Sequence, residues 1–112
     1  MKKIQIISEV VRELIANKLS NIFPYNLTGA CALSSYILFL CLKRNGYKTR
    51  FVIGKCFGDN HCWVELNQSI IDLTATQFNL FDKVHITKIN DKNYLANKKK
   101  YQKMYFYYLP NY

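Results

Sequence analysis

Glycine and proline are scarce in this chain, four and two among 112 residues, and no low-complexity run or internal repeat interrupts it. With half the residues hydrophobic, that composition excludes fibrous, linker-like and solenoid architectures and predicts a globule. The length suits one compact domain over residues 1–112 and is too short for two, so any active site has to be built within a single core. Long apolar runs are lacking as well. The longest, Ala30 to Leu42, includes Ser34 and Ser35 and falls short of the ~20 residues a membrane span needs, so no span is expected. Two lysines open the chain, but Glu9, Arg12 and Glu13 interrupt the apolar stretch that a secretion signal requires, which points to a cytoplasmic setting.

No pair of cysteines has the CxxC spacing. Cys31, Cys41, Cys56 and Cys62 make an even number, yet without a signal and with three of them in apolar runs they read as reduced thiols rather than a disulfide framework. Cys56, His61 and Cys62 are the set that can be drawn around zinc. Adjacent strand residues point to opposite faces, so His61 and Cys62 do not readily share an ion, and neither a metal nor another cofactor is expected.

Acidic residues are also few, seven against sixteen Lys and Arg, for a net charge of +9. The excess gathers late, at Lys83, Lys88, Lys92, Lys98, Lys99, Lys100 and Lys103, where the acids are Asp82 and Asp91. Such a field suits an acidic protein partner, and the aromatics of "YLANKKKYQKMYFYYLPNY" offer stacking surfaces to single-stranded nucleic acid. No RNA- or DNA-binding motif accompanies the charge, so nucleic acid is not the expected partner. The lysines of this basic aromatic region, residues 90–112, read instead as a solvated face, with Tyr105, Tyr107 and Leu109 or their alternates packing as a closing strand.

Ile7, Val10, Val11, Leu14, Ile15 and Leu19 recur at helical spacing in "MKKIQIISEVVRELIANKLSNIF", leaving Glu9, Arg12, Glu13 and Lys18 on the other side. That pattern predicts a helix covering a core. A second helix is predicted over Ala30 to Arg44, "ACALSSYILFLCLKR": Thr28 or Gly29 can cap its start, Pro24 fixes the approach and Asn45-Gly46 stops it. It is apolar on almost every side and is expected to run through the interior, with Cys41 as a small buried hydrophobe and Cys31 in the first turn.

Three strands follow: Lys48 to Phe57, His61 to Leu66 and Ser69 to Thr74, with turns at Gly58-Asp59-Asn60 and Asn67-Gln68. If Asn67-Gln68 is a two-residue hairpin loop, Leu66 faces Ser69, Trp63 faces Asp72 and His61 faces Thr74. His61 and Asp72 then share a face as diagonal neighbours, a relationship that a slip of one residue would destroy.

The three polar residues have complementary chemistry. The first turn of a helix offers unpaired N–H groups and positive partial charge, which favour a thiolate at Cys31 and can hold an oxyanion. A carboxylate on one imidazole nitrogen orients the ring and frees the other nitrogen to take a proton from a thiol, the relation expected of Asp72, His61 and Cys31. Each also has a plain structural reading: Cys31 as a buried hydrophobe, His61 as a satisfied strand residue, Asp72 as an acceptor of backbone amides.

"GACALSS", "NHCWVEL" and "IIDLTATQF" resemble the three motifs of the transglutaminase-like branch of the papain-like cysteine enzymes, which includes bacterial transglutaminase-like peptidases and the leader peptidases of lasso-peptide maturation. The resemblance covers about residues 24–80, and its most specific part is Asp-x-Thr-Ala-x-Gln-Phe. It implies a minimal α+β domain, a central helix packed on an antiparallel sheet, acting as a thiol protease, amidase or acyltransferase. It implies a triad of Cys31, His61 and Asp72, an oxyanion-supporting amide for which Asn26 is the candidate, and Gln77 supporting Asp72 or lining the cleft. Trp63 would shield the pair from water or pack as ordinary core. The implied partner is a peptide or protein substrate, with a recognition protein suited to so short a chain. The alternative is a noncatalytic module that binds an acidic protein or nucleic acid through the basic aromatic region.

Overall fold

The computed structural model describes residues 1–18, 30–78 and 82–96. Helix α1 (Lys2–Lys18) and helix α2 (Cys31–Arg44) precede strands β1 (Arg50–Cys56), β2 (Asp59–Leu66), β3 (Ser69–Asp72), β4 (His85–Lys88) and β5 (Tyr94–Ala96). A 3₁₀ turn, Ala75–Phe78, follows β3. Among the described residues no helix is long and apolar enough to cross a membrane.

Helix α1 carries two overlapping apolar stripes. The one that docks is Ile4, Val11 and Ile15 with Ser8 and Arg12, against Leu38 and Leu42 of α2 and Val64, Leu66 and Ile71 of the sheet. Ser8 sits in this face because its hydroxyl donates to the Ile4 carbonyl at 2.8 Å, which satisfies it locally. Val10 and Leu14, expected inside, are 54% and 53% exposed, and Arg12, expected outside, is buried. Leu19 lies outside the described residues.

Helix α2 begins at Cys31, with buried Ala30 at its N-cap and no side-chain cap bond; the expected caps Thr28 and Gly29, and Pro24, lie outside the described residues. Its end is as the sequence reads. Gly46 takes φ +88°, its N–H bonds the Lys43 carbonyl, and the Tyr47 N–H reaches back to Leu42, a Schellman closure. The helix does not run through the interior: Ser34, Ser35, Tyr36, Leu38 and Leu42 are buried, whereas Leu33 is 43% exposed and Cys41 is half-buried. It lies on the sheet with one side toward solvent.

The sheet is antiparallel in the order β4-β3-β2-β1-β5. Asn67 and Gln68 both have positive φ, as a two-residue primed turn demands, and Leu66 pairs Ser69 as expected. The preceding turn is tighter than predicted. Cys56 pairs Asp59, so the loop is Phe57-Gly58, and β2 starts two residues early because Phe57 accepts a left-handed φ of 50° beside Gly58 at 83°. β3 ends at Asp72 rather than Thr74.

His85 of β4 and Tyr94 of β5 belong to opposite edges of the sheet, yet their rings stack at 6.3 Å. The sheet therefore curls on itself. Its convex face receives the helices; its concave face holds Val52, Cys56, Trp63, Ile70 and Tyr94. Gly54 makes the curl feasible, since a Cβ there would meet the Leu95 carbonyl oxygen and come within 2.6 Å of the Trp63 ring. Gly54→Ala is expected to cost about 2–3 kcal/mol through overpacking, read as a lower urea midpoint; an unchanged midpoint would contradict this packing.

Candidate active site

The strand register builds the site from inside the curl. His61 lies opposite Gly54 on β2, and Asp72 closes β3; both are fully buried. The His61 Nε2–H donates to Asp72 Oδ2 at 2.8 Å. The Tyr94 hydroxyl donates to the same oxygen at 2.7 Å, and Oδ1 accepts the Thr74 backbone N–H at 2.9 Å and the Thr74 hydroxyl at 3.4 Å. Four donors thus surround a carboxylate removed from water, which is the condition for burying its charge.

Cys31 approaches from the other side. The ladder between β2 and β3 covers only Val64 to Leu66, and the backbone N–H of Cys62, beyond its end, donates to the Cys31 sulfur. The Cys62 thiol donates to that sulfur as well, and the His61 ring is in hydrogen-bonding contact with it. The Cys62 hydrogen bond foremost, then contact with His61 and its charge, outweigh burial and bring Cys31 from 9.0 down to about 5. Burial acts against the charged form of His61, but the hydrogen bonds and charges of Asp72 and Cys31 prevail and raise it from 6.5 to about 9. Between these limits the pair is a thiolate beside an imidazolium.

The other two displaced thiols move the opposite way. Burial, with the charge of Asp72 nearby, pushes Cys56 up to about 12, and its contact with the Cys31 sulfur, then burial, push Cys62 well above the ordinary range. Cys31 is also half-buried while those two are buried, so the ionised sulfur is the accessible one.

The chain matches no protein-family model, no curated protein and no solved structure.

Three of the sequence-predicted residues, Cys31, His61 and Asp72, come together. Gln77 is present but on a different partner: its side-chain nitrogen lies 2.6 Å from His61 Nδ1, so it supports the histidine rather than Asp72. With a neutral ring that amide donates to Nδ1; with a protonated ring Nδ1–H donates to the amide oxygen once the group has turned over. Trp63 is fully buried, edge-on to Tyr94 at 5.0 Å and 6.3 Å from His61, so it is core and water shield at once. Asn26 lies outside the described residues, as do Lys98, Lys99, Lys100, Lys103, Tyr105, Tyr107 and Leu109.

Sequence reasoning drew Cys56 only into the zinc set, quoted Phe78 within a motif without giving it a role, and missed Tyr94. Phe78 packs edge-on over the His61 ring at 4.9 Å, and its place six residues after Asp72 was a usable signal. Tyr94 had none, because its role depends on β5 pairing with β1 and on the curl.

Cys56, His61 and Asp72 bring a thiol, an imidazole and a carboxylate within 4.8 Å of one another, a donor set that zinc uses. Their bonds are already committed: Nε2 and Oδ2 are in hydrogen-bond contact at 2.8 Å, and Tyr94 bridges Asp72 and Cys56. An ion would have to displace both, so the arrangement fits proton placement better than coordination. Cys62, the third member of the set drawn from the sequence, faces the helices with Tyr36 and Phe51.

Asp72→Asn removes the foremost influence raising His61. The His61 imidazole resonances are then expected to titrate well below 9, in an NMR titration; a titration still near 9 would contradict the assigned cause. Tyr94→Phe deletes one of two donors to Oδ2 and is expected to cost about 1–2 kcal/mol in urea unfolding.

Proposed function

We propose that the protein is a cysteine-dependent acyl-transfer enzyme that cleaves or modifies a peptide or glutamine amide bond through Cys31, His61 and Asp72. The observation that carries this reading is one arrangement: an accessible cysteine at a helix start, in contact with a histidine whose far nitrogen is held 2.8 Å from a buried carboxylate. The resemblance of "GACALSS", "NHCWVEL" and "IIDLTATQF" to the transglutaminase-like branch of papain-like enzymes supports the same three roles, and a papain-like architecture belongs to the proposal.

The Cys31 thiolate attacks the carbonyl carbon, and the C–O π pair moves onto oxygen. The N–H groups of the first turn of α2 receive that oxyanion, with Asn26 as the side-chain candidate. The His61 imidazolium, oriented by Asp72, releases its Nδ1–H from Gln77 and gives that proton to the departing nitrogen as the C–N bond breaks, and a thioester remains. Water, deprotonated by the now neutral ring, releases the acid and regenerates Cys31. Water needs no second binding site, which favours a protease or deamidase over a transglutaminase.

The sign of the pH dependence follows from the pair. Below about 5 Cys31 becomes a thiol and attack fails; above about 9 His61 loses the proton it must donate. A bell-shaped rate with those limbs is expected. The first test uses p-nitrophenyl acetate and intact-protein mass spectrometry. One acetyl group on Cys31 is expected, absent in Cys31→Ala and formed roughly 10–100-fold more slowly near neutral pH in His61→Ala, where less of the sulfur is ionised. Acetylation of another residue, or none, would overturn the reading; glutamine-containing peptides then distinguish cleavage from deamidation.

A further inference from the structure

Cys62 has no part in the acyl-transfer steps, yet it is the residue most closely engaged with the Cys31 sulfur, through both its backbone N–H and its thiol. The contact is held in place. Cys62 is buried with Tyr36 and Phe51, Cys31 packs against that cluster, and the Ser35 hydroxyl one turn along α2 donates to the Cys62 carbonyl at 3.0 Å. The two thiols are therefore in hydrogen-bonding contact, carried side by side by a helix and a strand that pack on one another.

We propose that Cys31 and Cys62 form a reversible disulfide when Cys31 meets a hydroperoxide, which makes Cys62 the resolving thiol of the site. The inference rests on the contact between the Cys31 and Cys62 sulfurs and does not require acyl transfer. In the first step the Cys31 thiolate attacks one peroxide oxygen, the O–O bond breaks, and the departing hydroxide takes up a proton; Cys31 becomes a sulfenic acid and the peroxide is reduced to water. In the second step the Cys62 sulfur attacks the sulfenic sulfur, the S–O bond breaks, and the Cys62 proton leaves with the hydroxyl group as a second molecule of water. Two thiols have lost two electrons and two protons to one peroxide.

Resting and oxidised states differ in the charge beside Cys62. A thiolate at Cys31 helps to keep Cys62 protonated; a neutral sulfenic acid removes that part of the effect, leaving burial, and offers Cys62 an electrophilic sulfur that exists only after Cys31 has been oxidised. The disulfide takes the sulfur away from His61 and protects it from irreversible oxidation, and a dithiol reductant restores it.

The experiment treats the full chain with a several-fold excess of hydrogen peroxide, enough to carry an unprotected thiol to sulfinic acid, blocks free thiols with N-ethylmaleimide, and digests with trypsin and chymotrypsin. Chymotryptic cuts at Tyr36 and Phe57 separate Cys31 from Cys41 and Cys56 from Cys62. Mass spectrometry is expected to find Cys31 joined to Cys62, released by dithiothreitol, with Cys41 and Cys56 alkylated. In Cys62→Ser, which keeps a donor to the sulfur, Cys31 is expected to pass to sulfinic acid that dithiothreitol does not restore. Sulfinic acid at Cys31 of the wild type with Cys62 still alkylated, or a disulfide through Cys41 or Cys56, would overturn the inference. A Cys31–Cys62 bridge in a protein that p-nitrophenyl acetate does not acylate would sink the enzyme reading and leave this one standing.

Discussion

The hydrogen bond between His61 and Asp72 is the constraint around which the concave face is arranged. A carboxylate without solvent needs donors from several directions, and here they come from β2, from β5 and from the turn after β3. Supplying them requires the sheet to bend until its two edges meet, as the stacked His85 and Tyr94 rings record. Bending in turn requires a residue without a side chain where Trp63 presses against β1, and Gly54 is that residue. A polar node, its aromatic casing and the curvature of the sheet are thus one solution to one electrostatic problem.

Helix α2 adds the sulfur to this node. It rests on the sheet through Leu38, Leu42 and Ser35, stays partly exposed, and presents its first residue where the β2–β3 ladder has ended. The same small region then drives three thiols in different directions. Donors and an imidazolium beside Cys31 favour its anion, whereas Cys56 has burial and a carboxylate's charge against it, and Cys62 has the Cys31 sulfur and burial against it. Placement within one small region, rather than residue type, separates a sulfur that favours its anion from two that favour the thiol.

Much of this was legible because it depends on local rules. A two-residue loop at Asn67-Gln68 together with the two-residue period of strands determines which face Asp72 shares with His61, and both are readable from neighbouring residues. Asn45-Gly46 as a helix stop is equally local. The inward face of α1 was not legible, because Ile4-Val11-Ile15 and Ile6-Val10-Leu14 are both helical stripes and only docking against α2 and the sheet chooses between them. Phe57 in a left-handed turn runs against its own preference and moved the β2 start. Tyr94 joined the site through pairing between β1 and β5, a long-range event that no nearby spacing encodes.

The central claim is that Cys31 is a thiolate because of its neighbours, His61 among them. The most direct measurement is the iodoacetamide alkylation rate of Cys31 from pH 4 to 9, followed by peptide mass spectrometry, in wild type and in His61→Ala. Labelling that rises through about pH 5 in the wild type, and shifts toward the ordinary value of 9.0 in the variant, is expected. Labelling that rises only near 9.0 in both proteins, at the same pace as the other cysteines, would contradict an activated sulfur and with it the enzyme reading.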